Sequence, residues 1–144
     1  MEPRQVVLDF FAAAARRDKE ATKEFLAPDV SWNDNGPPEM IGGGNFRNAN
    51  EVIDYIWGNI RDTRDLVITP QWIVSEGDKV VVLINEHATI TTTERSYDIN
   101  SIHVYTVKEG RIAHFINYFD SMPLLRATCD VEFKKPGAAR RGGR

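Results

Sequence analysis

The apolar residues near the start of the chain recur at helical spacing. Between residues 7 and 14 they stand at i, i+3, i+4 and i+7, which forms one face of an amphipathic helix. These residues are Val7, Phe10, Phe11 and Ala14. Asp18 is placed to cap a second, shorter helix that Pro28 ends. Asn48 and Glu51 match the spacing of a capping box and precede a third helical run, so the first part of the chain predicts three helices.

From residue 66 onward the pattern changes to that of strands. Four stretches are rich in β-branched and aromatic residues, which favour a pleated sheet. They cover residues 66–75, 79–92, 97–108 and 111–119, and a shorter strand is predicted at 30–32. Helices followed by strands in hairpins are typical of an α+β fold. We therefore expect three helices packed on one face of a curved, mostly antiparallel sheet, which together enclose a cone-shaped apolar interior.

Length and composition fit one ordinary domain. The chain has 144 residues, of which 42% are hydrophobic and 27% are charged. We expect a single domain over residues 1–130 and a flexible basic tail over 131–144, because the last stretch is rich in Gly and Arg and has no apolar period. No apolar run is long enough to span a membrane, and the start lacks the order of a secretory signal. With Cys129 as the single cysteine, the expected location is the cytoplasm.

Charge and motifs limit the possible partners. The chain has 18 Lys and Arg against 21 Asp and Glu, and its last eleven residues contain five of the basic residues and none of the acidic ones. The remaining body is acidic, so nucleic acid is not expected as a partner. Residues 42–44 are three glycines, but they lack the preceding strand and the spacing of a dinucleotide-binding loop. The scattered histidines show no metal-ligand spacing, so we expect neither a metal nor a cofactor.

The last two predicted strands carry the most informative polar residues. The turn at residues 108–110 fits a three-residue hairpin loop, which pairs Ser101 with Asn117 and His103 with Phe115. Side chains alternate along a strand, so one face carries Ser101, His103, Tyr105, Ala113, Phe115, Asn117 and Phe119. Polar groups set among aromatic rings are typical of a ligand pocket. The alternative is that His103 and Asn117 satisfy backbone groups in a core.

The opposite face of the same hairpin is also apolar. It carries Ile102, Val104, His114, Ile116 and Tyr118. A monomer would expose this patch to water, so we expect a homodimer built on this outer face.

Several segments of the chain resemble a known superfamily. Residues 97–112, continuing to 117–120, are similar to the C-terminal hairpin of limonene epoxide hydrolase. The helices at 7–30 and the strand and loop at 32–42 are similar to the wider SnoaL-like group. The chain from 5 to 127 thus resembles the SnoaL-like, ketosteroid isomerase-like (nuclear transport factor two-like) superfamily. This resemblance implies a cystatin-like cone with a pocket, and it leaves the reaction open because the fold hosts many chemistries.

The resemblance to epoxide hydrolases does not carry their active site with it. Their aspartate on the last strand falls here on Asn117. Their arginine and second aspartate fall near His87 and Thr89. Their water-positioning tyrosine and asparagine fall on Trp32 and Asp34. None of that set is kept, so epoxide hydrolysis by that mechanism is not expected.

The resemblance to isomerases and cyclases fits the chain better. Ketosteroid isomerases place a general base near the end of the first strand, where Asp34 lies, and an acid that falls near His103. SnoaL-type cyclases pair a strand histidine, matched by His103, with an aspartate that Asn117 replaces. Asp34 beside Trp32 would be partly desolvated, which raises its pKa toward the range of a useful base. The alternative for Asp34 is a turn-stabilising role; His87 is a second candidate acid.

Together these residues define a candidate site and three hypotheses. The predicted catalytic residues are Asp34, His103 and His87, and the predicted substrate-binding residues are Trp32, Trp57, Asn85, Tyr105, Phe115 and Asn117. The favoured hypothesis is a cofactor-free acid–base enzyme, an isomerase, cyclase or dehydratase, that acts on a small hydrophobic polyketide-, steroid- or terpenoid-like molecule. The alternatives are a non-catalytic small-molecule-binding or assembly module, and an epoxide hydrolase-like hydrolase with a rearranged site.

Overall fold

The computed structural model of the protein describes residues 1–136. Its elements in chain order are α1 (Pro3–Ala15), α2 (Lys19–Glu24), β1 (Leu26–Asp34), β2 (Gly44–Arg47), α3 (Ala49–Arg61), β3 (Thr63–Glu76), β4 (Lys79–Ile90), β5 (Arg95–Lys108), β6 (Arg111–Phe119) and α4 (Met122–Thr128). The α+β class and the three helices before the main strands are confirmed, while β2 and α4 are additional. The division into a domain and a tail stays a prediction, and residues 137–144 of that tail lie outside the described residues.

Side-chain caps fix where α2 and α3 begin. Asp18 accepts a hydrogen bond from the backbone nitrogen of Ala21 at 3.1 Å. Asn48 accepts one from the backbone nitrogen of Glu51 at 3.0 Å, and Glu51 in turn accepts one from the backbone nitrogen of Arg47 at 3.1 Å. Such caps satisfy amide groups that have no partner inside the helix. The start of α3 is therefore fixed beside β1, its neighbour in the site.

The six strands form one curved sheet in the order β2-β1-β6-β5-β4-β3. Neighbouring strands are antiparallel except β1 and β6, which run parallel. The parallel pair brings the ends of two strands that are distant in sequence to the same edge of the interior. As a result, Asp34 at the end of β1 lies directly beside Asn117 on β6.

The β5–β6 hairpin has a different register from the predicted one. Ser101 pairs with Phe119 and His103 pairs with Asn117. The prediction that Ser101 faces Asn117 and His103 faces Phe115 is therefore wrong. The difference is two residues, and because side chains alternate with a period of two, residues 101–105 and 115–119 keep their predicted faces.

Two local features produce this shift. The hairpin loop contains only Glu109 and Gly110, whose φ angles of 53° and 76° suit a type I′ turn. A β-bulge at Ala113 then moves the register by one further residue. The bulge also places Ile112, which is fully buried, on the inner face where Ala113 was predicted.

The helices cover one face of the sheet, and a cavity lies beneath them. A larger buried cluster joins α1 and α3 to the strands, and a smaller one joins α4 to β4 and β5. Both clusters supply walls to one cavity of about 460 Å³. In residues 1–136 no helix has the length and apolar character needed to cross a membrane.

Candidate functional site

Adjacent strands bring the principal polar side chains into one row. Asp34 on β1 lies beside Asn117 on β6, which lies beside His103 on β5. The neighbouring row consists, in the same strand order, of Trp32, Phe115 and Tyr105. All six side chains line the cavity. The structure therefore brings together six of the residues that the sequence patterns indicated.

Asp34 is held by two hydrogen bonds. Its Oδ1 accepts a hydrogen bond from Asn117 Nδ2 at 2.7 Å, and its Oδ2 accepts one from the hydroxyl of Tyr55. Burial raises the pKa of Asp34 to about 7, with the hydrogen bonds from Tyr55 and Asn117 acting to lower that pKa and the charge of Glu86 acting to raise it. Near neutral pH the carboxyl group is therefore able both to release and to accept a proton.

Two buried polar atoms near Asp34 have no hydrogen-bond partner among the described residues. They are Asn117 Oδ1 and Trp32 Nε1. Both side chains are more than nine-tenths buried, and both line the cavity. An unpaired buried polar atom costs about 1–3 kcal/mol. A ligand that offers a donor to Asn117 and an acceptor to Trp32 would remove that penalty.

His103 is enclosed by aromatic rings. Its ring is stacked with that of Phe11 at a centroid distance of 6.1 Å and meets Phe115 edge-on at 4.9 Å. Its Nδ1 lies 3.0 Å from the hydroxyl oxygen of Tyr105. Burial lowers the pKa of His103 to about 3, so the imidazole is neutral at pH 7. It can form hydrogen bonds to a ligand there, but it has no imidazolium proton to donate.

Three predicted residues lie outside the cavity. On β4 the even-numbered residues such as Glu86 face inward, so Asn85 and His87 lie on the outer face. His87 is exposed, and Asn85 Nδ2 donates a hydrogen bond to Asp98 Oδ1 at 2.7 Å. Trp57 on α3 packs against the larger buried cluster without lining the cavity. The structure therefore does not bring His87, Asn85 and Trp57 into the cavity with the other predicted site residues.

Further polar side chains line the cavity that sequence patterns did not indicate, among them Tyr55, Glu86 and Tyr97. Tyr55 comes from α3 and donates its hydroxyl hydrogen to Asp34. Glu86 faces inward from β4, and its Oε2 accepts a hydrogen bond from the hydroxyl of Tyr97 at 2.6 Å. Burial raises the pKa of Glu86, and the hydrogen bond from Tyr97 acts to lower it. The cavity thus contains two carboxyl groups, each held by a tyrosine.

The remaining wall of the cavity is largely apolar. It includes Phe10, Ile56, Leu66, Ile99, Phe119 and Leu124. Arg17, at the end of α1, also lines it. Within residues 1–136 no group of three or more His, Cys, Asp or Glu side chains is arranged to hold a metal ion. An apolar cavity of this size with a few polar groups is typical of a site for small organic molecules.

Known proteins share this architecture. The SnoaL-like domain model matches residues 7–115. An NTF2-like protein of unknown function from Burkholderia pseudomallei is 28% identical, with a TM-score of 0.77 over 89% of this chain and 98% of that one. An NTF2-like protein from Burkholderia thailandensis is 25% identical, with a TM-score of 0.79 over 88% and 98%. IdmH from Streptomyces antibioticus, provisionally named a polyketide cyclase, is 21% identical, with a TM-score of 0.72 over 88% and 98%.

The family match covers most of the elements that build the cavity. It extends from α1 into β6 and ends two residues before Asn117. None of the curated proteins matches the chain significantly. Folds of this family generally bind small hydrophobic ligands, which agrees with the apolar cavity described above. The protein belongs to the SnoaL-like domain family.

Proposed function

We propose that this protein is an acid–base enzyme that acts on a small hydrophobic molecule held in the cavity, with Asp34 as the general base. The observation that carries the proposal is the buried Asp34 carboxyl group, whose pKa is about 7 and which faces an apolar cavity. A base with a pKa near the working pH combines proton affinity with a large deprotonated fraction. The proposed chemistry uses protein side chains alone and needs no cofactor.

The neighbours of Asp34 orient its carboxylate and the bound ligand. Tyr55 and Asn117 each hold one carboxylate oxygen, which fixes the direction from which a proton is taken. When His103 Nδ1 accepts the hydrogen bond of Tyr105, the ring proton is on Nε2, which is then a donor for a ligand oxygen. A ligand carbonyl bound there places its adjacent C–H groups near Asp34, in the same row of side chains.

The reaction classes that fit share one first step. Isomerisation, cyclisation and dehydration next to a carbonyl all begin with removal of a proton from carbon, and a base in an apolar site suits that step. The many apolar wall residues favour a polyketide-, steroid- or terpenoid-like molecule. The provisional naming of IdmH as a polyketide cyclase agrees with cyclisation, although the likeness to IdmH is one of fold.

A second candidate function is ligand binding without catalysis. The observation that favours it is the pair of unpartnered buried atoms, Asn117 Oδ1 and Trp32 Nε1. A polar ligand would supply hydrogen-bond partners to both atoms, whether or not a reaction follows. This candidate predicts tight binding of oxygenated hydrophobic molecules and no proton exchange on them.

Hydrogen exchange at carbon tests the proposal directly. The probe is 2-tetralone in deuterated water, with uptake of deuterium beside the carbonyl followed by NMR. We expect the wild-type protein to accelerate exchange and Asp34→Asn to lower the rate by at least about 10²-fold, because the amide cannot accept the proton. Asp54→Asn, at an exposed position on α3, is the matched control and should leave the rate unchanged. Binding of the ketone with no acceleration by the wild type would favour the binding module instead.

A further inference from the structure

The proposed base leaves a second carboxyl group in the cavity without a role. Glu86 faces inward from β4 and lines the cavity together with Asp34. Its register partners on the neighbouring strands are the apolar Ile68 on β3 and Ile99 on β5. Its Oε2 accepts a hydrogen bond from the hydroxyl of Tyr97 at 2.6 Å, and no residue in the described part of the chain donates one to Oε1. One oxygen of Glu86 is therefore held in place, while the other remains for a ligand.

Glu86 is the first of the two carboxyl groups to ionise. Its charge is one cause of the raised pKa of Asp34, so Glu86 is already a carboxylate when Asp34 titrates. Burial raises the pKa of Glu86 as well, and the hydrogen bond from Tyr97 acts to lower it. The charge of Asp34 has no part in that shift. Near neutral pH the cavity therefore contains a carboxylate at Glu86, while Asp34 is present in both forms.

No basic side chain within residues 1–136 compensates the charge of Glu86. The salt bridges of this part of the chain join exposed side chains, and none of them includes Glu86 or Asp34. Arg17 lines the cavity, but it is exposed, and its Nη1 donates a hydrogen bond to the carbonyl oxygen of Ala14 at 2.9 Å. Burial lowers the pKa of His103 to about 3, so that ring is neutral. A carboxylate in an apolar wall without a counter-charge is unfavourable, so the cavity favours a ligand that brings a positive charge.

The aromatic wall of the cavity suits a cation. Burial raises the pKa of Tyr55, Tyr97 and Tyr105, so these side chains are neutral near pH 7 and leave the negative charge unchanged. The faces of aromatic rings attract an ammonium group that lies within about 6 Å of the ring centre. Trp32 and Phe115 line the cavity with the three tyrosines. A carboxylate and several rings together can replace the water that an ammonium group loses when it enters.

A separate observation also points to a ligand with hydrogen-bond donors. Asn117 Oδ1 belongs to a buried side chain that lines the cavity, and it accepts no hydrogen bond within the described residues. Glu86 Oε1 is another acceptor without a donor. A protonated primary amine has three N–H donors and no acceptor, whereas a ketone oxygen supplies no donor. The free acceptors of the cavity therefore favour an amine independently of charge.

We propose that Glu86, positioned by Tyr97, binds a positively charged nitrogen of the ligand, so that the substrate is a hydrophobic amine; for the reaction itself this inference rests on the proposed function. The ammonium group forms a charge-assisted hydrogen bond with Glu86 Oε1, and the apolar part of the molecule lies against the aromatic wall. The substrate class is then an amino ketone with an apolar carbon skeleton. Glu86 selects the molecule, and Asp34 acts on it.

Two ligands with the same carbon skeleton test the role of charge. 2-Aminotetralin is protonated near neutral pH, and 2-tetralol is its uncharged counterpart. Calorimetry near neutral pH should show that the wild type binds the amine at least about 10-fold more tightly than the alcohol, as expected for one charge-assisted hydrogen bond. Glu86→Gln should lose this preference and keep its affinity for 2-tetralol, which a merely structural role would not predict. Glu76→Gln, an exposed change on β3, is the matched control and should keep the preference.

Asp34→Asn separates the contributions of the two carboxyl groups. This variant should still prefer the amine, because Glu86 carries the charge that binds the ammonium group. If Asp34→Asn loses the preference and Glu86→Gln keeps it, the ammonium group lies at Asp34 and the inference is wrong.

Tyr97→Phe provides a second measurement if Glu86→Gln fails to fold. The amine binds the ionised form of Glu86, so its affinity should rise as the pH increases through the pKa of Glu86 and then become constant. The hydrogen bond from Tyr97 lowers that pKa, so Tyr97→Phe should move the rise to higher pH. The affinity for 2-tetralol should show no such shift. An unchanged pH dependence of amine binding in Tyr97→Phe contradicts the inference.

Displacement shows whether the amine occupies the same cavity as the ketone. In calorimetry, 2-aminotetralin should displace 2-tetralone from the wild-type protein. If both molecules bind at once, the amine lies outside the cavity and the inference is wrong.

The inference and the proposed function fail in different ways. Equal affinity of the wild type for the amine and the alcohol, with hydrogen exchange of 2-tetralone intact, contradicts the role of Glu86 and leaves the base role of Asp34 standing. Retention of the amine preference by Glu86→Gln has the same meaning. If the preference depends on Glu86 but the wild type exchanges no hydrogen on 2-tetralone, the proposed function is wrong, and the amine is the ligand of a binding module.

Discussion

The inner and outer faces of the sheet are both rich in apolar side chains, but their polar residues differ in exposure to water. On the inner face His103 is buried among rings, and its pKa is lowered to about 3. On the outer face His87 is exposed to water. Asn85 also lies on the outer face, where it donates a hydrogen bond to the neighbouring Asp98. The comparison teaches that burial, more than residue type, makes a polar side chain a candidate for chemistry.

The outer face differs in a second respect, because its apolar side chains meet water. One row across four strands contains Trp72, Leu83, Ile102 and Tyr118. Trp72, Ile102 and Tyr118 are 49%, 41% and 49% exposed. Among the described residues no helix covers this row, because α1, α3 and α4 pack on the inner face. The homodimer expected from the sequence stays a prediction, and this row is where it would form.

The largest effect is expected in the pH dependence of stability. The pKa of Asp34 is about 7 in the folded protein and about 4 in an unfolded chain. The folded state thus holds this proton more tightly, so the stabilisation is complete below about pH 4 and is lost as the pH rises through about 7. Asp34→Asn removes this loss. The variant should gain stability relative to the wild type by about 4 kcal/mol between pH 4 and pH 8, measured by urea unfolding.

An outer-face carboxylate provides the matched control for that experiment. Asp98→Asn changes an exposed residue on β5, and its stability difference from the wild type should not grow with pH as that of Asp34→Asn does. If the stability difference between Asp34→Asn and the wild type stays constant from pH 4 to pH 8, the two faces do not differ in the proposed way.

The next largest effect concerns assembly through the outer face. Ile102→Lys places a charge in the centre of the exposed row and should weaken dimerisation by at least about 100-fold, because that charge would have to be desolvated at the interface. Sedimentation equilibrium at micromolar concentration measures this. His87→Lys, on the same face but outside the row, is the control and should leave assembly unchanged. A monomeric wild type at these concentrations would contradict the dimer.

A smaller effect is expected for ligand affinity at Asn117. Asn117→Ala should weaken binding of an oxygenated hydrophobic ligand by about 1–3 kcal/mol, because it leaves a buried partner unsatisfied. Calorimetry with 2-tetralone measures the change, and Asn85→Ala on the outer face is its control. Asn117→Asp should be tolerated only if a ligand or water can accommodate the new charge beside Asp34. Unchanged affinity in both variants, with stability lost, would remove Asn117 from the site.

The sequence predicts the faces of residues 101–105 on β5 and 115–119 on β6, because a register error of two residues does not change which face a side chain occupies. It fails on β4, where residues 80–84 are apolar without interruption, so alternation does not show which face is buried. Because of that ambiguity, the sequence analysis predicts His87 as the site residue on β4, whereas Glu86 lines the cavity. Tyr55 could not be found from sequence, because its partner Asp34 lies 21 residues away and only tertiary packing brings the two together.

Other misses have local causes. The glycines at 42–44 indicate a break, but Gly44 begins β2 with a φ of 126°, a conformation that glycine adopts without strain. Helix α4 is only 7 residues long, too short to show an apolar period. The sequence analysis therefore lacks the strand that pairs with β1 at Asp34 and the helix that supplies Leu124 to the cavity wall.

The parallel pairing of β1 with β6 also sets an order of events during folding. The hydrogen bond between Asp34 and Asn117 spans 83 residues, and closing so long a loop is entropically unfavourable until the intervening hairpins have formed. Until β6 docks, β1 has an open edge that can pair with other chains. We therefore expect the base to receive its second hydrogen-bond donor late in folding, when β6 docks on β1. Recovery of proton-transfer activity during refolding should therefore lag behind the formation of secondary structure.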